Sequence, residues 1–355
     1  MKFSAAIACG MTAALAATAM SAASANAQTS ASKTFVMAAF GGVNQTALDQ
    51  ACLDPFAAAH GLTPEDTTNS SLAELEVQEK SHDVTWNVDL DALPGPYGNW
   101  GSVVQPINYK IVGRTSIPKA YQWKYATGVS TVTAVIVYNA TAYGGKAPKT
   151  WSDFFNLKKF PGQREMPSVA YNGAYAISEA AEMAYQNASQ PHYPIIKKDV
   201  FAEMDKIKSH VTLYTSTTQA EEAIVSGQAD MVMLSANHAL PAIASLPSGS
   251  PTWKVQWNQN LVETNQFEVP KGAPDTKLDM EFIHYCLETG PQVTYATLVA
   301  DGPVNPAAAA ALPQSLKATE PAGHSKDASP INQDYWSPSV SAKWATWWES
   351  WQISS

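Results

Sequence analysis

Thr131-Val132-Thr133-Ala134-Val135-Ile136-Val137-Tyr138 decides the fold. The run is β-branched and carries no charge, as a strand buried on both faces requires. Outward from it, strand-like and helical segments alternate. Upstream, residues 34–40 read as a strand broken by Gly41-Gly42. Residues 47–60 then carry Leu48, Cys52, Leu53 and Phe56 at helical spacing, with Thr46 as the expected N-cap. Residues 72–80 read as a helix, 84–90 as a strand and 93–98 as a Gly/Pro loop. Downstream, Trp151 opens a short helix over 151–155 with Thr150 or Ser152 as its cap. Helices are expected over 176–186, 200–208, 218–226 (closed by Gly227), 278–288 and 291–299. Strands are expected over 211–214, 229–234 and 266–269. Strands alternating with helices predict an α/β fold with mainly parallel sheets.

The chain has 355 residues, enough for two domains, and its 45% hydrophobic content can fill their cores. Only 15% of residues are charged, which excludes a largely disordered chain. A formal charge of -9 argues against non-specific nucleic-acid binding, which needs a basic face. Lys2, the apolar run Ala5 to Met20 and Ala25-Asn26-Ala27 read as a signal peptide over residues 1–27, cleaved before Gln28. After it, no run of about 18 apolar residues occurs to span a membrane. Cys52 and Cys286 remain in the exported chain, either as one disulfide or as two buried thiols. Trp344, Trp347, Trp348 and Trp351 share one helical face, expected to dock a C-terminal helix on the core.

Motifs for catalysis are missing: there is no GxGxxG, Walker A, HExxH or GxSxG. No two of the seven histidines stand at HxH or HxxxH spacing. The S-x-x-K of residues 30–33 lies in a polar tail and is a chance match. No catalytic residue, metal site or cofactor is expected. Binding is favoured over catalysis, with an exported enzyme as the alternative.

Several segments, taken in order, resemble the extracellular solute-binding proteins of ABC transporters, in the branch related to spermidine/putrescine-binding proteins. They are Phe40-Gly41-Gly42 with Asp54-Pro55-Phe56, Gly128-Val129-Ser130-Thr131 with Val137-Tyr138-Asn139, and Ala147-Pro148-Lys149-Thr150-Trp151-Ser152-Asp153-Phe154-Phe155 with Phe160-Pro161-Gly162. The passage 199–230, Val269-Pro270-Lys271-Gly272 and Gly302-Pro303-Val304-Asn305-Pro306 complete the set. The resemblance implies two α/β lobes closing on a ligand, a type II periplasmic binding protein fold. Lobe one would be 34–138 plus 262–307, and lobe two 139–261 plus 308–355. It further implies a periplasmic monomer that hands its solute to an ABC permease in the inner membrane.

The same resemblance places candidate ligand contacts. Phe40 occupies the position of the first cleft aromatic, and Gly41 lets backbone approach the ligand. Ser235 stands where relatives carry Trp, Glu263 and Asn265 where polyamine binders carry Trp and Asp, and Asp301 where an aromatic is usual. Asn87, Asp89, Ser130, Thr131, Tyr171, Asn172 and Ser216 complete the expected set. Hydroxyls, an amide and one or two carboxylates suit a small polar, amine-containing or zwitterionic solute; a polyamine is the alternative.

Overall fold

A computed structural model of the chain describes residues 33–354, apart from 92, 94, 96, 97, 115, 116, 170–173 and 318–320. The expected signal peptide at 1–27 lies outside the described residues, as do Tyr171 and Asn172.

The TVTAVIVY run is the centre of strand β4, Thr127–Asn139. It pairs antiparallel with β8, Trp253–Glu268, from Thr127 opposite Phe267 to Asn139 opposite Trp253. This long pair crosses the middle of a ten-stranded mixed sheet. On one flank lie β3 (Val88–Leu90), β1 (Thr34–Ala38) and β2 (Thr63–Thr67), with β1 parallel to both neighbours. On the other lie β7 (Met231–Ser235), β5 (Arg164–Pro167) and β6 (Val211–Tyr214), with β5 parallel to both neighbours. Two short strands, β9 (Gly302–Pro303) and β10 (Ala328–Pro330), add to β4 and β8. The expected parallel pairing therefore holds on the flanks, while the crossing strands and their neighbours β3 and β7 join antiparallel.

Each flank has its own core. In the first, Phe35 packs on Phe282 with ring centroids 4.9 Å apart, and Phe56 and Phe267 close around them. Cys52 and Cys286 are buried there as free thiols, so the alternative of two apolar-packed cysteines describes this structure. In the second, Trp344, Trp348 and Trp351 project from the C-terminal helix Pro338–Ile353 onto Phe201 and the helix Tyr175–Gln186. Trp348 Nε1 donates to Ser178 Oγ at 3.0 Å. Trp344, Trp348 and Trp351 are core, as their spacing predicts, while Trp347 is half-buried with Lys197 and Lys343 over its ring.

Local differences from expectation have local causes. The first helix begins at Gly42, ahead of the expected Ala47. Gly41 (φ 81) makes the turn that only glycine takes without strain, and Gln45 Oε1 accepts its N–H at 2.7 Å. Thr46 is not the cap; its hydroxyl donates back to the Gly42 carbonyl. From Gly42 the helix runs through a π-helical turn, Asp49–Leu53, to His60. Strand β2 (TPEDT) and the polar start of β8 went unread, because an edge strand and a half-exposed crossing strand lack a continuous apolar run. Gln259 (φ 65) kinks β8, and its Oε1 and backbone carbonyl accept the two N–H groups of Trp151 at 3.0 and 2.9 Å.

Candidate functional site

A cleft of about 860 Å³ opens where the two flanks face each other across β4 and β8. The turn Phe40-Gly41-Gly42 and Asp91 wall it on one side, and Tyr175, Tyr214, Ser235 and Trp336 on the other. Val132 and Ala134 of β4 and residues Glu263 to Gln266 of β8 form its floor. The strand period of two turns Val132 and Ala134 to the cavity and Thr131 away from it.

Phe40 stands 59% exposed at the rim, two residues past the end of β1. The turn behind it is braced by Gln45, whose Nε2 donates to Asp66 at 2.6 Å and to the Thr67 carbonyl at 3.3 Å. One residue past β3, Asp91 adopts φ 58. Its carboxylate Oδ1 accepts the Gln266 N–H at 2.6 Å, and its own N–H donates to the Gln266 carbonyl at 2.9 Å. Burial holds the Asp91 carboxyl well above the usual carboxylate range, opposed by the Gln266 N–H and reinforced by the charges of Glu263, Asp89 and Asp301.

Behind the floor, polar groups form a chain. Asn265 Nδ2 donates to Ser130 Oγ at 3.0 Å. Ser130 in turn donates to Asp301 at 3.3 Å, and Tyr295 donates to the same carboxylate oxygen at 3.1 Å. Burial lifts Asp301 to about 7 despite these donors, with Glu263 adding repulsion. Deeper still, Asp89 lies opposite Glu268 in the β3–β8 register, and both are fully buried. Burial first, then the Asp89 carboxyl, drives Glu268 far upward.

The cleft thus collects carboxyls, and among its described lining residues there is no Lys or Arg. The buried cation of the second core, Arg164, is committed elsewhere, to the carbonyls of Phe154, Gly162 and Phe160. The one lining histidine, His238, pairs with Glu221 through Nδ1 at 2.8 Å. On the second wall the N-terminal ends of three helices, Tyr175–Gln186, Thr217–Ser226 and Ala236–Ala244, open towards the cavity. The positive ends of their dipoles suit an anionic group.

Of the residues expected from sequence, Phe40, Gly41, Ser235, Glu263 and Asn265 line the cleft. Asp301 and Ser130 lie just behind its floor, joined to it through Asn265. Thr131 donates to the Gly302 carbonyl. Asn87 accepts the Val36 N–H and donates to Asp279 within the first half. Asp89 faces Glu268, because β3 buries it while Asp91, two residues on, emerges at the strand's end. Ser216 caps the helix Thr217–Ser226, its hydroxyl accepting the Gln219 N–H; its neighbour Thr217 reaches the cleft. Asp91, Gln45, Tyr214 and Trp336 were missed. Asp91 had a usable signal, a carboxylate between a strand and a Gly/Pro loop, where α/β clefts gather ligands. Trp336 had none, lying in an irregular segment before the last helix.

Among the described residues no group of three or more His, Cys, Asp or Glu side chains is placed to hold a metal ion. No described helix is long and apolar enough to cross a membrane.

A ligand-sized cleft between two α/β flanks of one crossing sheet is the architecture of periplasmic binding proteins. The chain belongs to the bacterial extracellular solute-binding protein family, whose pattern matches residues 17–322. It is 23% identical over 319 residues to the gamma-aminobutyric acid-binding protein of Pseudomonas aeruginosa, covering 86% of this chain and 87% of that one. The solved Atu4243-GABA receptor superposes with a TM-score of 0.81 at 22% identity, covering 91% of this chain and 98% of that one. AgtB from A. tumefaciens R10, solved with agropinic acid, gives 0.72 at 25% identity over 89% of this chain and 99% of that one.

Proposed function

We propose that this protein captures a small amine-bearing solute, zwitterionic in the favoured case, and hands it to an ABC permease in the inner membrane. The carrying observation is the charge of the cleft. Asp91 and Glu263 face it and Asp301 lies behind it, with no Lys or Arg among the described lining residues. An ammonium group is the complement of such a wall. A carboxylate at the other end of the solute finds the helix N-termini near Tyr175 and Ala236. The gamma-aminobutyric acid that names two relatives carries both groups, which supports this reading.

In this reading residues 34–138 with 262–307 and residues 139–261 with 308–355 move as two lobes about the crossing strands β4 and β8. Export by cleavage before Gln28 and action as a monomer without chemistry complete it. The aromatic lining of Phe40, Tyr175, Tyr214 and Trp336 also suits a diamine.

Thermal shift and calorimetry on the mature chain, with γ-aminobutyrate, longer ω-amino acids, putrescine and simple carboxylates, test the proposal. At about 100 times its dissociation constant a ligand adds roughly 2.7 kcal/mol of stability. A shift with an ω-amino acid supports the zwitterion, and one with putrescine alone supports the diamine. Binding confined to carboxylates lacking an amine refutes the reading.

A further inference from the structure

Behind the second wall of the cleft sits a carboxylate that lines nothing. Glu179 lies one turn along the helix from Tyr175 and is fully buried. The indole Nε1 of Trp336 donates to its Oε1 at 2.7 Å, and the Tyr193 hydroxyl donates to the same oxygen. Tyr193 is itself held by the Asn332 N–H at 3.1 Å. The other oxygen, Oε2, is buried with no donor in hydrogen-bonding geometry. Trp336 lines the cleft, with the Tyr175 ring 6.2 Å away, centroid to centroid.

Trp336 is already packed on Tyr335 and Trp344, so apolar contact alone would hold it. An ionisable carboxyl buried at its N–H edge costs stability that packing does not require. A negative charge on the indole N–H has a consequence for the ring: it pushes electron density into the π face, which strengthens attraction for a cation there. Burial raises the Glu179 carboxyl to about 7, with the Glu263 charge adding to it. A cation in the cleft favours its charged form.

We infer that Glu179 is a specificity-determining residue of this cleft: it fixes the Trp336 indole by its edge and charges it, so that the indole face seats the ligand's ammonium group. This rests on the reading that the cleft binds an amine. It adds a further negative element, on the wall opposite Asp91, that acts through Trp336 and not by contact. The selectivity it confers is for a positive group over a neutral group of the same size.

The test is calorimetric titration at pH 8 with two probe pairs, γ-aminobutyrate against 4-hydroxybutyrate and putrescine against 1,4-butanediol. Glu179→Gln keeps an acceptor for the indole N–H and removes the charge. The expected result is a fall of about tenfold in the preference for ammonium over hydroxyl, with the hydroxyl probe unaffected. Trp336→Phe keeps an aromatic face and cuts the link to Glu179, so it should lose the same preference. The double variant should lose little more than either single one, since the two act as a unit. Trp336→Phe also carries the test if Glu179→Gln does not fold. Should the wild type bind the amine while both single variants keep its preference, the inference falls and the binding reading stands. If the wild type binds neither ammonium probe, both fall.

Discussion

Asp91 and Gln266 clasp each other across the β3–β8 boundary, each donating its backbone N–H to an oxygen of the other, at 2.6 and 2.9 Å. The clasp holds Asp91 in a left-handed conformation (φ 58) that a non-glycine residue avoids without compensation. It uses Oδ1 and leaves the rest of the carboxylate to the cleft.

Asp91→Asn should therefore weaken binding of an ammonium ligand by ten- to a hundredfold, the worth of a charge-assisted hydrogen bond of ~1.5–3 kcal/mol. Glu263→Ala should weaken it in the same direction. Calorimetry in two buffers of different ionisation enthalpy should also find proton release on binding, because burial keeps Asp91 raised until a cation arrives. Unchanged affinity in Asp91→Asn with ligand shown in the cleft would remove Asp91 from the site.

Stability of the free protein should fall as pH rises. Asp49 is raised to about 6, and Asp279, Asp301 and Glu179 to about 7, each chiefly by burial. A carboxyl whose folded pKa exceeds its unfolded value contributes stability fully present below about 4 and lost as pH rises through the folded value. Scanning calorimetry should thus give a higher Tm near pH 5 than near pH 8. Asp279→Asn, remote from the cleft and bonded to Asn87, should flatten part of that slope and leave ligand affinity unchanged. A Tm that climbs from pH 5 to pH 8 would refute this account.

Gly41→Ala should damage both fold and binding. At φ 81 and ψ -170 the backbone is in a region kept for glycine, and a Cβ there would meet Thr68 Cγ2 at 3.1 Å. The expected loss is ~1–3 kcal/mol, with reduced affinity as the Phe40 turn shifts. Urea unfolding and calorimetry of the variant check the two effects separately.

Gln292→Ala should destabilise the first half by about 3 kcal/mol. This buried amide donates to the Val129 and Cys286 carbonyls at 2.8 and 3.1 Å. It also accepts the N–H groups of Val304 and Asn305 at 3.0 and 3.4 Å. Its removal leaves several buried backbone groups without these partners. Urea denaturation measures the cost; a loss under about 1 kcal/mol would mean water takes over the bonds.

The architecture was readable in the chain because its signals are local. A β-branched run between helical patterns marks β4, and the Trp344, Trp348 and Trp351 spacing marks a docked helix, through periods set by a few neighbouring residues. The ordered set of short segments ending in Gly302-Pro303 pointed to the family that the matched pattern then showed. Gly41-Gly42 marked the end of the first strand locally, whereas the place of Phe40 and Gly41 beside a cleft came only from the family resemblance.

Which carboxylates serve the cleft was decided only by tertiary structure. Asp89 and Asp91 are alike in sequence, yet pairing with β8 buries one against Glu268 and brings the other to the cavity. Ser130 and Asp301 meet from positions 171 residues apart, and Trp336 meets Glu179 from 157 apart. Local propensity carries no term for such encounters; they arise when the crossing strands bring the two flanks face to face, and burial then sets the charge of each group that meets there.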